Sequence, residues 1–309
     1  MDKIIKVGSR CSELALKQTH IVIGILKEHF PEYEYEIVEI KTIGDKILDK
    51  TLDKIGGKGL FVKEIESALL NKEIDLAVHS MKDVPTVMVE GLKIGAITKR
   101  EDVRDVFIGK NNLKIEELKS GAKVGTSSLR RKAQLLAYRN DLDIVPIRGN
   151  IRTRIGKIDE MDLDGIILAA AGIHRMDWNE KINGYINENI CTPAVGQGAL
   201  GIQIREKDPL MDKIIGVLNH GETEYAIKAE RSFMRVLEGG CHVPMGAFCE
   251  IKDNMLNMIA VVASLDGKEV IRLERRANLE EYTKLGEDLA KEALDKGARH
   301  ILDKIEGND

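Results

Sequence analysis

The sequence predicts two α/β lobes joined by two hinge strands, followed by a small C-terminal α+β domain, and three observations predict it. Over residues 1–200 short β-rich runs alternate with helical periodicity, the pattern of a parallel sheet covered by helices. Two segments interrupt that alternation: the polar Arg100-Glu101-Asp102-Val103-Arg104 and the glycine-bearing Thr192-Pro193-Ala194-Val195-Gly196-Gln197-Gly198-Ala199. From about Gly216 the pattern changes to a long helix, three strands and a last helical region. The boundaries read as 1–99 with 200–216 for the first lobe, 100–199 for the second, and 217–309 for the C-terminal domain. Two linkers between two lobes predict a hinged cleft.

In chain order, Ile4–Val7 reads as a strand and Gly8-Ser9-Arg10 as a turn. Ser12 caps a helix whose apolar positions include Leu14, Ile21, Val22 and Ile25. Glu36–Ile40 is a strand, Gly56-Gly57-Lys58-Gly59 a loop, and Phe61–Leu70 a helix, before the strands Leu76–Val78 and Leu92–Thr98. The second lobe reads as strand Val106–Ile108, strand Lys123–Gly125, helix Leu129–Tyr138, strand Ile144–Ile147, a helix from Ile151, and strand Gly165–Leu168. Leu200–Arg205 returns as a strand to the first lobe. In the C-terminal domain a helix runs from Thr223 to Leu237. Strands follow at Gly246–Ile251, Leu256–Leu265 and Glu269–Arg275, with Asp266-Gly267 as a hairpin turn. The helical region Leu279–Lys296 closes on Gly297.

With 309 residues, 43% of them hydrophobic, the chain can build a core in each domain. The four cysteines, Cys11, Cys191, Cys241 and Cys249, have no metal-ligand spacing and are too few for a disulfide scaffold, which points to a reducing cytoplasm and to no metal site. The N-terminus goes straight into a strand-like run, and no stretch approaches membrane-spanning length, so neither export nor a membrane is expected. A net charge of −4 gives no general reason to bind nucleic acid.

The basic residues are nevertheless unevenly chosen. Before Arg100 there are fourteen lysines and one arginine, Arg10, whereas residues 100–199 hold nine arginines against seven lysines. Arg130, Arg131, Arg148, Arg152, Arg154 and Arg175 fall near expected strand ends or helix starts. Arginine chosen locally in a lysine-rich chain points to bidentate recognition of carboxylate or phosphate; the alternative is solvated helix faces or partners for nearby Asp and Glu.

Three segments carry candidate chemistry. Ala77-Val78-His79-Ser80-Met81-Lys82-Asp83-Val84-Pro85 places a carboxylate at the carboxyl end of a buried strand. Asp83 there is a general acid/base or stabilises a cationic intermediate; a lone Asp before proline is otherwise an Asx-turn. His79 reads as a satisfied structural histidine and Met81 as core. Thr126, Ser127, Ser128, Arg130 and Arg131 gather hydroxyls and guanidinium groups at a helix start, an arrangement that holds a carboxylate or phosphate, or else an ordinary serine cap. Leu237-Glu238-Gly239-Gly240-Cys241-His242-Val243-Pro244 ends a helix on two glycines and presents a thiol at the turn; Cys241 is accessible there, or is a small apolar residue closing the helix. The Gly56–Gly59 loop lacks the Walker ending and reads as a flap, with Lys58 pointing inward or only keeping the loop soluble.

Taken with Arg148-Gly149-Asn150 and Pro193-Ala194-Val195-Gly196-Gln197-Gly198, these motifs resemble porphobilinogen deaminase, also called hydroxymethylbilane synthase, over nearly the whole chain. The resemblance implies two periplasmic-binding-protein-like lobes and a third domain whose Cys241 carries a dipyrromethane cofactor through a thioether. It implies a monomeric cytoplasmic transferase of porphyrin and heme biosynthesis that joins four porphobilinogen molecules head to tail and releases hydroxymethylbilane. By position, Asp83 is catalytic. Lys82, Asp83, Thr126, Ser127, Ser128, Arg130 and Arg131 match cofactor contacts, and Arg10, Ser12, Arg148, Arg154 and Arg175 match contacts to substrate carboxylates. The sequence departs from the commonest pattern at Arg152 and His174. Arg152 adds a cation to the cleft or faces solvent.

Two other readings compete. A two-lobed anion-binding or sensor protein would suit residues 1–200, but leaves the Cys241 loop unexplained; it would not colour with Ehrlich's reagent, whereas bound pyrroles would. A cysteine hydrolase using Cys241 and His242 lacks an orienting group, and neighbours in sequence rarely face each other on a loop.

Overall fold

The computed structural model describes residues 3–46, 62–238 and 243–306. Lys58 with its glycine loop, and Cys241 with the two glycines before it, lie outside the described residues. The elements begin β1 (Lys3–Arg10), α1 (Glu13–His29), β2 (Tyr33–Ile40), α2 (Ile43–Lys46), α3 (Lys63–Leu70), β3 (Leu76–Ser80) and β4 (Leu92–Ile97). They continue with β5 (Asp105–Gly109), β6 (Lys123–Gly125), α4 (Leu129–Tyr138), β7 (Asp143–Val145), α5 (Ile151–Glu160), β8 (Gly165–Ala169), α6 (Ala170–Arg175) and β9 (Gly184–Ile186). The chain ends with β10 (Leu200–Arg205), α7 (Pro209–Ile215), α8 (Gly221–Val236), β11 (Met245–Lys252), β12 (Met255–Ala263), β13 (Val270–Asn278), α9 (Tyr282–Asp295) and α10 (Ala298–Glu306). Among the described residues, those up to Glu101 and Gly198–Glu224 form one compact unit, and Asp102–Gln197 with Tyr225 onward form the other.

The first unit is a five-stranded sheet in the order β2-β1-β3-β10-β4. Alternation along β3 sends Leu76 and Val78 to one face, where α1 and α7 bring Val22, Leu26, Ile214 and Ile215, and sends Ala77 to the other, under Ile65 and Leu69 of α3. The buried stripe of α1 runs Thr19, Val22, Ile23, Leu26, at the spacing of one helix face. Ile21, expected inside, is 45% exposed, because the stripe lies one position round from the one expected. Gly201 on β10 leaves room for Met81, whose sulfur a Cβ there would meet at 2.7 Å.

The second unit repeats the plan with the order β7-β6-β8-β5-β9. Phe107, Ile167 and Leu135 of α4 share one face; Val106, Ile108, Ile166 and Leu168 lie on the other with Ile158 and Ile173. Full burial of each such side chain contributes about 1.5–3 kcal/mol.

Both sheets are mixed rather than parallel as expected. β10 pairs antiparallel with β3 and β4, with Leu200 opposite Ser80, and β5 pairs antiparallel with β8 and β9, with Asp105 opposite Ala169. The physical reason is connectivity. β10 enters its sheet from the second unit and β5 precedes the other strands of its own, so neither is joined to its neighbours by the β-α-β crossover that imposes a parallel direction.

The antiparallel sheet β11-β12-β13 packs against α8, α9 and α10 around Phe233, Leu256, Met258 and Leu289. Asp253 and Asn254, both at positive φ (52° and 57°), make the two-residue hairpin between β11 and β12. The helical region does close at Gly297, but α10 follows at once. This sheet docks on the second unit's own elements: Ala247 N–H donates to Pro193 O (3.1 Å) and Arg272 Nη1 to Thr192 Oγ1 (2.7 Å). Gly267, at φ 73°, is required because a Cβ there would strike the Ala137 backbone of α4. Buried Glu230 of α8 accepts from Gly196 N–H and Cys249 N–H, each at 2.8 Å, tying the crossing segment to β11.

Candidate active site

In the first unit, β3 ends in a single 3₁₀ turn, Met81–Asp83, held by Met81 N–H donating to Ala199 O at 3.0 Å. The turn tucks Met81 into the core, as expected, and turns Lys82 and Asp83 out, both half-buried. They line a pocket with Arg10, Ser12, Gln18 and His79. Arg10 Nη1 stands 4.0 Å from Asp83 Oδ2, and Ser80 Oγ lies 3.1 Å from Gln18 Nε2. Ser12 caps α1, its hydroxyl accepting from Ala15 N–H at 3.3 Å, which puts it and Arg10 at one helix start. The structure thus brings together Arg10, Ser12, Lys82 and Asp83: two cations, a hydroxyl and one carboxylate around one concavity.

His79 is 5% exposed and its Nε2 is held, as expected of a structural histidine, 2.9 Å from Gln203 Oε1. Burial pushes its pKa down to about 4, against the upward pull of the Gln203 hydrogen bond and of Asp83. The folded value lies below the unfolded one, so the stability this gives is complete above about pH 6.5 and is lost as pH falls through 4. Relative to His79→Gln, the native protein should therefore lose about 3 kcal/mol between pH 7 and pH 4 in denaturant unfolding. A constant difference between the two proteins would refute this.

In the second unit, Thr126, Ser127 and Ser128 span the turn from β6 to α4. Ser127 Oγ donates to Ile147 O (2.7 Å), Ser128 N–H to Thr126 Oγ1 (3.2 Å), and Ser128 Oγ accepts from Arg131 N–H (3.4 Å). Arg130 and Arg131, each 5% exposed, converge on fully buried Asp105: Arg130 Nη1 lies 2.8 Å from Oδ2 and Arg131 Nη2 2.7 Å from Oδ1. Gln197 Nε2 adds a bond to Oδ1 at 3.0 Å, and Cys191 Sγ lies 3.3 Å from Oδ2. Burial opposes the Asp105 charge, but the two guanidiniums outweigh it and hold the carboxyl well below the usual range; burial pushes the Cys191 thiol up to about 12. Sequence reasoning missed Asp105. The available signal was a carboxylate opening an apolar strand, next to a link otherwise read as polar.

Arg148, Arg154 and Arg175 remain half-buried. Gly149, at φ 114°, makes the turn after Arg148, and Arg154 Nε donates back to Gly149 O at 2.8 Å, so one turn carries both arginines. Arg175 ends α6. Arg152 lies over the Trp178 ring, 4.8 Å from its centroid, so its guanidinium has a cation–π partner.

Two guanidiniums on one carboxylate leave one positive charge in the buried cluster, and Arg131 Nε has no hydrogen-bond partner among the described residues. A buried net cation with an orphan donor fits an anionic group such as a carboxylate.

Each unit is an α/β fold that sets arginine and hydroxyl side chains at the start of a helix, the class of arrangement that can hold an anionic small molecule. Residues 5–213 match the family model "porphobilinogen deaminase, dipyromethane cofactor binding domain", and residues 225–295 match "porphobilinogen deaminase, C-terminal domain". Porphobilinogen deaminase of Alkaliphilus metalliredigens is 53% identical over 303 residues, 98% of this chain and 96% of that protein. That of Carboxydothermus hydrogenoformans is 54% identical over 305 residues, 99% and 98% of the two. Among solved structures, the methionine binding protein MetQ aligns with a TM-score of 0.45 at 12% identity, covering 72% of this chain and 92% of its own. The chain belongs to the porphobilinogen deaminase family.

Proposed function

We propose that this chain is a transferase that deaminates porphobilinogen, joins four units head to tail, and releases hydroxymethylbilane for tetrapyrrole and heme biosynthesis. The observation that carries this reading is the pocket at the end of β3, where Asp83 stands beside Arg10 and Lys82 in a chain that matches the family along its length. Each addition breaks a C–N bond with loss of ammonia and forms a C–C bond at a pyrrole α-carbon that gives up its proton; release would break the C–C bond between the first-joined unit and its anchor, water giving its hydroxyl to that methylene and a proton to the anchor's α-carbon.

The residues suit that chemistry. Porphobilinogen carries an acetate and a propionate, which match Arg10, Arg148, Arg154 and Arg175, with Ser12 as a hydroxyl partner. Loss of ammonia leaves an electron-poor methylene pyrrolenine, and Asp83 stabilises the pyrrole N–H and the positive charge as they develop. Dipyrromethane, linked to Cys241 by a thioether, supplies when bound the pyrrole α-carbon that the first substrate joins. Arg131, with its orphan Nε, and Arg130, Lys82, Asp83, Thr126, Ser127 and Ser128 would hold it, the Ser128 cap keeping the start of α4 in place.

The protein is read as a cytoplasmic monomer without nucleic-acid or membrane partners; among the described residues no helix is long and apolar enough to cross a membrane. Intact mass of the purified protein under denaturing conditions, with peptide mapping, tests the proposal. The Cys241 peptide should carry two extra pyrrole units and lengthen stepwise when porphobilinogen is added. Cys241→Ser should carry none. An adduct that persists on that variant would move the anchor elsewhere, and a protein that neither carries nor assembles pyrroles would leave the anion-binding reading.

A further inference from the structure

This inference rests on the proposed function and concerns three buried side chains in the first unit: His79 on β3, Gln203 on β10 and Glu66 on α3, which are 5%, 1% and 6% exposed. Gln203 stands between the other two. Its Nε2 donates to Glu66 Oε1 at 3.1 Å, and its Oε1 lies 2.9 Å from His79 Nε2. A carboxylate draws the NH₂ end of the amide toward itself, so the carbonyl end is the one that faces the imidazole. A carbonyl oxygen only accepts, and Nε2 must therefore carry the ring proton. Burial keeps the ring neutral, and in a neutral imidazole protonated at Nε2 the other nitrogen keeps its lone pair.

That ring lines the pocket that holds Asp83, Arg10 and Lys82. We propose that His79 is a substrate-positioning residue of this pocket: Glu66, acting through Gln203, fixes the Nε2-protonated tautomer, so that Nδ1 is a standing acceptor for an N–H of the bound pyrrole substrate. The chemistry of the pocket favours such a group. Arg10 answers a carboxylate of porphobilinogen, while its pyrrole and aminomethyl N–H groups need acceptors, and among the described lining residues Asp83 supplies the charged one. A neutral acceptor beside Asp83 adds a hydrogen bond without forming an ion pair that would compete for that carboxylate.

Two isosteres separate this role from a structural one. His79→Asn keeps an acceptor near the Nδ1 position and loses the group that reaches Gln203; His79→Gln does the reverse. With both variants cofactor-loaded and shown by circular dichroism to melt cooperatively, His79→Gln should raise KM for porphobilinogen roughly fivefold with kcat within about twofold, and His79→Asn should stay near the native KM. Histidine-selective ¹⁵N NMR of the native holoenzyme should show Nε2 protonated and Nδ1 bare, and Glu66→Gln should mix the tautomers. A native ring protonated at Nδ1, or a KM that Gln preserves better than Asn, would overturn the role of His79 while leaving the deaminase reading in place. A native protein that consumes no porphobilinogen would instead overturn the proposed function and the substrate contact with it; the NMR signal would still report the tautomer.

Discussion

Asp83→Asn is expected to lower the rate of porphobilinogen consumption by roughly a hundred- to a thousandfold, with little change in unfolding. The side chain is one-third exposed, and its ion-pair partner Arg10 stands at the limiting distance of 4.0 Å, so the fold draws little stability from the pair. Asparagine keeps the shape and one acceptor oxygen but removes the negative charge that the electron-poor intermediate needs. Steady-state turnover of variant protein whose pyrrole content has been checked by mass is the measurement. Near-native turnover by a loaded, folded Asp83→Asn protein would remove Asp83 from the chemistry.

The second large effect is on stability. Asp105→Ala should destabilise the protein by about 3–5 kcal/mol in denaturant unfolding, because it leaves the Arg130 and Arg131 guanidiniums buried without their carboxylate. Asp105→Asn should fall between, since an amide oxygen can still accept one of the bonds. Loss should also appear as a lower pyrrole content, since the two arginines would no longer be held at the start of α4. A change below about 1 kcal/mol for the alanine variant would mean that water or a rearranged Gln197 replaces the carboxylate at little cost.

Asp83 was legible in the sequence because its signals are local: an apolar run that stops, a cluster of polar residues, then Pro85. Ser12 and Ser128 were legible for the same reason, each standing one residue before a helical period. Asp105 was not. Its importance arises only once β5 enters its sheet antiparallel and lands beside the end of β8, near the first turn of α4. The mixed direction of the sheets escaped notice on the same ground, since periodicity reports which face a residue takes and not which way its strand runs. The burial of His79 is legible in its apolar strand, but its partners lie on elements far apart in the chain, and no spacing rule links residues 66, 79 and 203.

The place of β10 has a consequence for biosynthesis of the chain itself. Among the described strands β4 joins its sheet through β10, which lies between it and β3. On the ribosome, β1 to β4 emerge first, but the interior of their sheet cannot close until residues 200–205 have been made, after the whole of Asp102–Gln197. The second unit's five strands, by contrast, are contiguous in sequence and can assemble while the first sheet still has an open edge. Of the two five-stranded sheets the first is therefore the later to close, and its unpaired β3 edge is what the nascent chain must keep from pairing with a neighbour.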